Sequence, residues 1–152
     1  MTYLLLIQPE LMGQLRKDYL LTRNAIEELF RWIPHENGIG QPCMATGDVE
    51  VSDVLIRAGK YAYVSYAAAN RDTREYPQAQ RINFYRLGPP HLAFGHDPNS
   101  CVGSTLARVE AHVLLPALIG CFPRLRLAVA PSRVQWQTSP LTRGPVALPA
   151  TW

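Results

Sequence analysis

A chain of 152 residues with 47% hydrophobic and 18% charged residues has the material for one ordinary globular domain, which excludes a disordered chain. Its formal charge of +3 comes mostly from scattered arginines, and no run of like charge suggests a grip on nucleic acid. The apolar run Tyr3 to Ile7 is too short to cross a bilayer and lacks the flanks of a signal peptide, so a cytoplasmic protein without a membrane partner is expected.

The expected class is mainly α with small β-sheets (α+β). Residues 1–34 read as helices. Pro9 suits a first helical position and is followed by Leu11, Met12 and Leu15 at roughly helical spacing. Ile26, Leu29, Phe30 and Ile33 form a stripe at i, i+3, i+4 and i+7 that Pro34 ends. Short strands are expected over 48–66: Val49/Val51 and Val54/Ile56 flank Ser52-Asp53, and Tyr61/Tyr63/Ser65 follows Ala58-Gly59. Residues 70–100 lack a sustained period, and so long a loop in a compact domain points to a functional role. A helix is expected over 101–120, with Leu106, Val109, Val113 and Ala117 on its buried stripe and Pro116 kinking or shortening it. The segment 125–152, with Leu125/Leu127/Val129, Val134/Trp136 and Val146/Leu148 between prolines, reads as short edge strands.

Three cysteines, Cys43, Cys101 and Cys121, without a Cys-x-x-Cys spacing indicate neither a disulfide framework nor a zinc knuckle. His96, Cys101 and His112 lack the paired spacing of a closed tetrahedral site. Cys101 is different in context. It follows the turn-rich run His91 to Ser100 and is expected at a helix start, where backbone N–H groups and the positive end of the helix dipole favour the ionised, metal-ligating sulfur. Gly103, without a side chain, would let a flat cofactor approach the backbone.

The run His91-Leu92-Ala93-Phe94-Gly95 through Cys101-Val102-Gly103 resembles the cysteine-ligand loop of the cytochrome P450 family, Phe-Gly-x-Gly-x-His/Arg-x-Cys-x-Gly, with Phe94, Gly95, Cys101 and Gly103 matching. Glu28-Leu29-Phe30-Arg31 is similar to the family's Glu-x-x-Arg helix. On such a helix the carboxylate and guanidinium are neighbours; alone they would be read as a surface pair worth a few tenths of a kcal/mol. The resemblance brings in a third group, placed here at Arg81, to lock loop to helix. Asn70-Arg71-Asp72 and the closing Arg143 to Trp152 agree further, so the match spans nearly the whole chain, nearest to the soluble bacterial branch.

The resemblance implies haem b with Cys101 as axial ligand, Phe94 shielding the same face, Gly95 and Gly103 in the cofactor-binding loop, and His91 donating to a propionate. It implies monooxygenase chemistry, hydroxylation of C–H bonds in a small hydrophobic organic substrate with dioxygen. Electrons would come from a ferredoxin or flavodoxin-type donor docking near Arg108 and Arg124. Family members are more than twice as long, so the resemblance implies the C-terminal part of the fold, from the end of the central helix onward, inactive alone. Cys43 stands where the family has a propionate-pairing arginine, Asp97 replaces a loop glycine and Asn99 a histidine or arginine. Three readings follow: part of a monooxygenase, a non-catalytic haem-binding or interaction module, and the residual product of a decayed gene.

Overall fold

Pro9 takes the first helical position of the segment Pro9–Lys17, where its missing N–H costs nothing. The computed structural model describes residues 1–34, 42–96, 98, 100–137, 139 and 143–152. Helix α1 (Thr2–Ile7) precedes α2 (Pro9–Lys17), which buries Leu11, Met12 and Leu15 as the spacing predicts. A 3-10 turn at Tyr19–Leu21, capped by the Asp18 carboxylate accepting from the Leu20 N–H at 3.0 Å, leads into α3 (Thr22–Trp32). Ile33 is extended because Pro34 disfavours a helical residue before it, so α3 stops at Trp32. Its apolar stripe, Ala25, Ile26, Leu29 and Phe30, joins Leu5, Leu15, Phe84 and Leu115 in the core.

The strands are short. β1 (Pro42–Met44) pairs antiparallel with β4 (Tyr61–Tyr63), with Cys43 opposite Ala62. Between them β2 (Val49–Val51) and β3 (Val54–Ile56) close through Ser52-Asp53, Ser52 adopting φ of 52°, as such two-residue connections require. The hairpin over Ser52-Asp53 is therefore the expected one. Tyr61/Tyr63 instead reaches across that hairpin to β1, whose Pro42-Cys43-Met44 carries no alternation to announce a strand. Helix α4 (Tyr66–Ala69) opens the long irregular stretch, and α5 (Ser104–Cys121) follows it. In the C-terminal segment β5 (Arg126–Leu127) pairs with β6 (Ala150–Thr151), while Trp136 and Pro145 form only an isolated bridge.

Helix α5 runs through Pro116 to Cys121, so, of the two expected effects of the proline, shortening does not occur; the proline lies on the exposed side. The buried side of α5 corrects an expectation. Leu115 is buried, with Ala107, Ala111 and Ile119 packed against the core, whereas Leu106 and Val113 are 62% and 63% exposed. The helix is apolar around most of its circumference, so periodicity offers too little contrast to choose the inward side. Among the described residues no helix is long and apolar enough to cross a membrane.

Candidate functional site around Cys101

The site rests on α3. Glu28 and Arg31, one turn apart, form a bidentate pair: Arg31 donates from Nε to Glu28 Oε2 at 2.7 Å and from Nη2 to Oε1 at 2.9 Å. Both side chains are buried, so this pair is no surface decoration. The remaining Arg31 donors reach the irregular loop, binding the carbonyls of Asn70 at 2.6 Å, Ala79 at 3.0 Å and Arg81 at 3.2 Å.

The third member is Arg86. Its Nε donates to Glu28 Oε1 and Oε2 at 3.0 and 3.1 Å, and its other donors bind the carbonyls of Pro77, Gln78 and Arg81. This corrects the expectation at Arg81, which is exposed and serves the network through its main-chain oxygen. Loop geometry explains the difference. Phe84, 1% exposed, anchors the segment in the core, the Asn83 N–H reaches Glu28 Oε1 at 2.9 Å, and Arg86 is thereby directed at the carboxylate. The signal available in the sequence was Phe84 itself, an aromatic anchor two residues before an arginine.

From this network the chain passes to the cysteine loop through buried Asn70, whose Oδ1 accepts the Leu92 N–H at 2.7 Å. Gly95 adopts φ of 75°, a conformation glycine takes freely, and its N–H returns to the Leu92 carbonyl at 3.1 Å in a tight turn. The Phe94 carbonyl accepts the Cys101 N–H at 2.7 Å. The Cys101 carbonyl in turn accepts the Ser104 N–H at 3.0 Å, and Gly103 caps α5. The sulfur is therefore held just before the helix, as expected, and Cys101 is exposed.

Space is left beside that sulfur. A side-chain carbon placed on Gly103 would meet nothing within 4 Å except Cys101 Sγ at 3.8 Å. Among the described residues no group of three His, Cys, Asp or Glu side chains could hold a bare metal ion. One exposed thiol, a clear space next to it and no companion ligands fit a metal that brings its remaining donors with it, as haem iron does. Asp97 and Asn99 lie outside the described residues. Cys43 is in β1 and Cys121 ends α5, both exposed and apart from this loop.

His91 is not free to serve a propionate, which corrects that expectation. Its Nδ1 accepts the Ala93 N–H at 3.1 Å, which fixes the proton on Nε2, and Nε2 lies 3.1 Å from Glu27 Oε2. Both ring nitrogens are committed within the protein. Glu27, which sequence reasoning passed over, also receives Arg108 Nε and Nη2 at 2.8 and 3.0 Å. The Arg108 guanidinium lies 4.9 Å from the Phe94 ring centre, and Phe94 packs edge-on against Phe30 of α3 with centroids 4.8 Å apart.

Burial lowers the His91 pKa below its ordinary 6.5, outweighing the attraction of Glu27 for the charged form. Partial burial alone would raise the Glu27 carboxyl; its bonds and proximity to Arg108, aided by His91, leave it below its ordinary 4.5. The unfolded chain therefore takes up the histidine proton first. Stability from His91 is complete above about pH 6.5 and declines as pH falls below it. That from Glu27 is complete above about pH 4.5 and is lost through its lower folded pKa. Two acid-labile contributions follow. The expected result is that the His91 ring titrates below 6.5 by NMR and that the urea midpoint is lower at pH 5.5 than at pH 7.5. Titration at or above 6.5 would contradict the buried, neutral assignment.

The cytochrome P450 family model matches residues 8–131. The chain belongs to the cytochrome P450 family. Haem iron is the cofactor this family implies, and the mainly helical fold with small sheets is that of the C-terminal part of the P450 fold. Biflaviolin synthase of Streptomyces coelicolor is 43% identical over 100% of this chain and 37% of its own length. Nocardicin C N-oxygenase of Nocardia uniformis is 45% identical over 99% of this chain and 38% of its own. The crystal structure of the LnmA cytochrome P450 hydroxylase from the leinamycin pathway of Streptomyces atroolivaceus superposes with a TM-score of 0.93 at 41% identity, covering 99% of this chain and 39% of that one. A mutant of the mixed-function P450 MycG in complex with mycinamicin IV gives 0.96 at 42% identity, covering 99% of this chain and 38% of that one. The chain thus spans less than two fifths of the length of these P450 relatives.

Proposed function

We propose that this chain provides the thiolate side of a haem monooxygenase, with Cys101 as the axial ligand of haem b iron. The observation that carries the reading is the Cys101 loop: an exposed thiol fixed by the 2.7 Å bond from its N–H to the Phe94 carbonyl, beside the open space at Gly103. When bound through a thiolate, haem supplies chemistry that favours O–O cleavage and oxidation of C–H bonds with dioxygen. The protein's own part is to aim the sulfur. Gly95 shapes the turn that presents the loop, and Phe94 braces it against α3. Electrons would come from a ferredoxin or flavodoxin-type donor, with exposed Arg124 a candidate contact. The substrate class is a small hydrophobic organic molecule, in keeping with the oxygenases and hydroxylases among the relatives. The cytoplasm, which keeps free thiols reduced, is the compartment this reading assigns.

Reconstitution of the full chain with haemin tests the proposal. The reduced carbon monoxide complex is expected to show a thiolate-type spectrum that Cys101→Ala abolishes and Cys121→Ala preserves. Equal effects of the two substitutions, or ligation of iron by nitrogen or water in the unaltered chain, would overturn it.

A further inference from the structure

Glu27 precedes Glu28 on α3 and lies about 100° away around the helix axis, so it serves a different neighbour. Where Glu28 binds the irregular loop, Glu27 faces α5 and the start of the cysteine loop. Its two oxygens are shared between Arg108, bidentate at 2.8 and 3.0 Å, and His91 at 3.1 Å. His91 precedes Cys101 in the chain and Arg108 follows it. We propose that Glu27 is a positioning residue for the Cys101 thiol, a single carboxylate that ties down both ends of the loop carrying the sulfur. The proposal rests on the reading of Cys101 as the haem ligand.

Two short paths connect the carboxylate to the sulfur. Through Arg108, the guanidinium lies over the Phe94 ring, and the Phe94 carbonyl holds the Cys101 N–H. Through His91, the ring accepts the Ala93 N–H, fixing the residue next to Phe94. Phe94 is therefore held on three sides, by Arg108, by Phe30 and by the chain at Ala93, and Cys101 hangs from its carbonyl. The surrounding cleft is lined by further charged groups: Arg23, Glu28 and Arg31 of α3, Arg86 of the loop and His112 of α5. Glu28 is already matched by Arg31 and Arg86, which leaves Glu27 as the carboxylate that answers Arg108.

The half-exposed setting separates this role from general stabilisation. The side chains of Glu27 and Arg108 are 38% and 37% exposed, and ion pairs so open to water add little to global stability. What the pair supplies is geometry, because two parallel bonds fix the guanidinium plane over Phe94.

Hydrogen exchange on the full chain without haem reads that geometry directly. In Glu27→Gln, and independently in Arg108→Ala, which opens the clamp from α5, the amides of Ala93 and Cys101 should exchange about tenfold faster. Amides in α2 and β5 should be unchanged, and the urea midpoint should hardly move. After loading with haemin, both variants should lose haem to an excess of acceptor protein about tenfold faster than the unaltered chain. Unchanged exchange at Cys101 in both variants would overturn the proposal, as would a uniform rise across all segments with a lower midpoint. Should the unaltered chain bind haem without thiolate ligation, the cofactor reading fails while the exchange data still decide the role of Glu27.

Discussion

Replacing Glu28 by alanine should cost about 3–5 kcal/mol, the range for breaking a buried ion pair and leaving charge uncompensated. The carboxylate is buried and receives Arg31 through two bonds, Arg86 through Nε and the Asn83 N–H. Its loss strands two guanidinium groups and a backbone donor at once. Domains of this kind are stable by only about 5–15 kcal/mol, so the change consumes a large share of the total. Urea unfolding should show a sharply lower midpoint and soluble yield should fall, while exposed Lys60→Ala stays near the starting protein. Glu28→Gln retains one acceptor oxygen and should fall between them. A Glu28→Ala midpoint indistinguishable from that of Lys60→Ala would show that the network is not formed.

The second large effect discriminates between two arginines. Arg86→Ala removes the guanidinium that bridges Glu28 to the carbonyls of Pro77, Gln78 and Arg81, in a side chain only 10% exposed. A loss of about 2–4 kcal/mol is expected, since the buried Glu28 carboxylate loses a charge-assisted donor and keeps only one cationic partner. Arg81→Ala should change stability by no more than about 0.5 kcal/mol, because the exposed side chain is dispensable and the alanine retains the carbonyl that Arg31 and Arg86 use. Arg86→Lys should not restore stability, since a compact ammonium lacks the planar fork that spans both the carboxylate and the loop. Urea midpoints of the three variants check the order. Comparable losses for Arg81→Ala and Arg86→Ala would return the third place in the network to Arg81.

Why one arginine was legible and the other was not follows from range. Glu28 and Arg31 sit one turn apart on an amphipathic helix, so spacing alone makes them neighbours. Arg86 arrives across 58 residues of chain, in a loop with no period, where several arginines compete for the same role. Helices α2 and α3 were readable because apolar and polar faces alternate clearly and prolines mark their limits. Helix α5 was found but turned the wrong way, because a helix apolar around most of its circumference does not encode which side is inward. The β2–β3 hairpin announced itself through a two-residue connection. The β1–β4 pair did not, since its register is set by the sheet reaching across that hairpin rather than by local pattern. At the site, turn formers and glycines exposed the Cys101 loop, but Glu27 was invisible and Asn70 stood only as part of a matching run, because their importance lies in what distant segments bring to them.

Asn70 has a consequence of its own. Its main-chain oxygen belongs to Arg31 and its side-chain oxygen to Leu92, so a single residue joins the anchor of the irregular segment to the first strut of the sulfur's loop. Rigidity made at the helix is thereby handed on to the Cys101 end, and slack would be handed on in the same way. Damage at the ionic knot should reach the thiol as misalignment before the rest of the molecule comes apart.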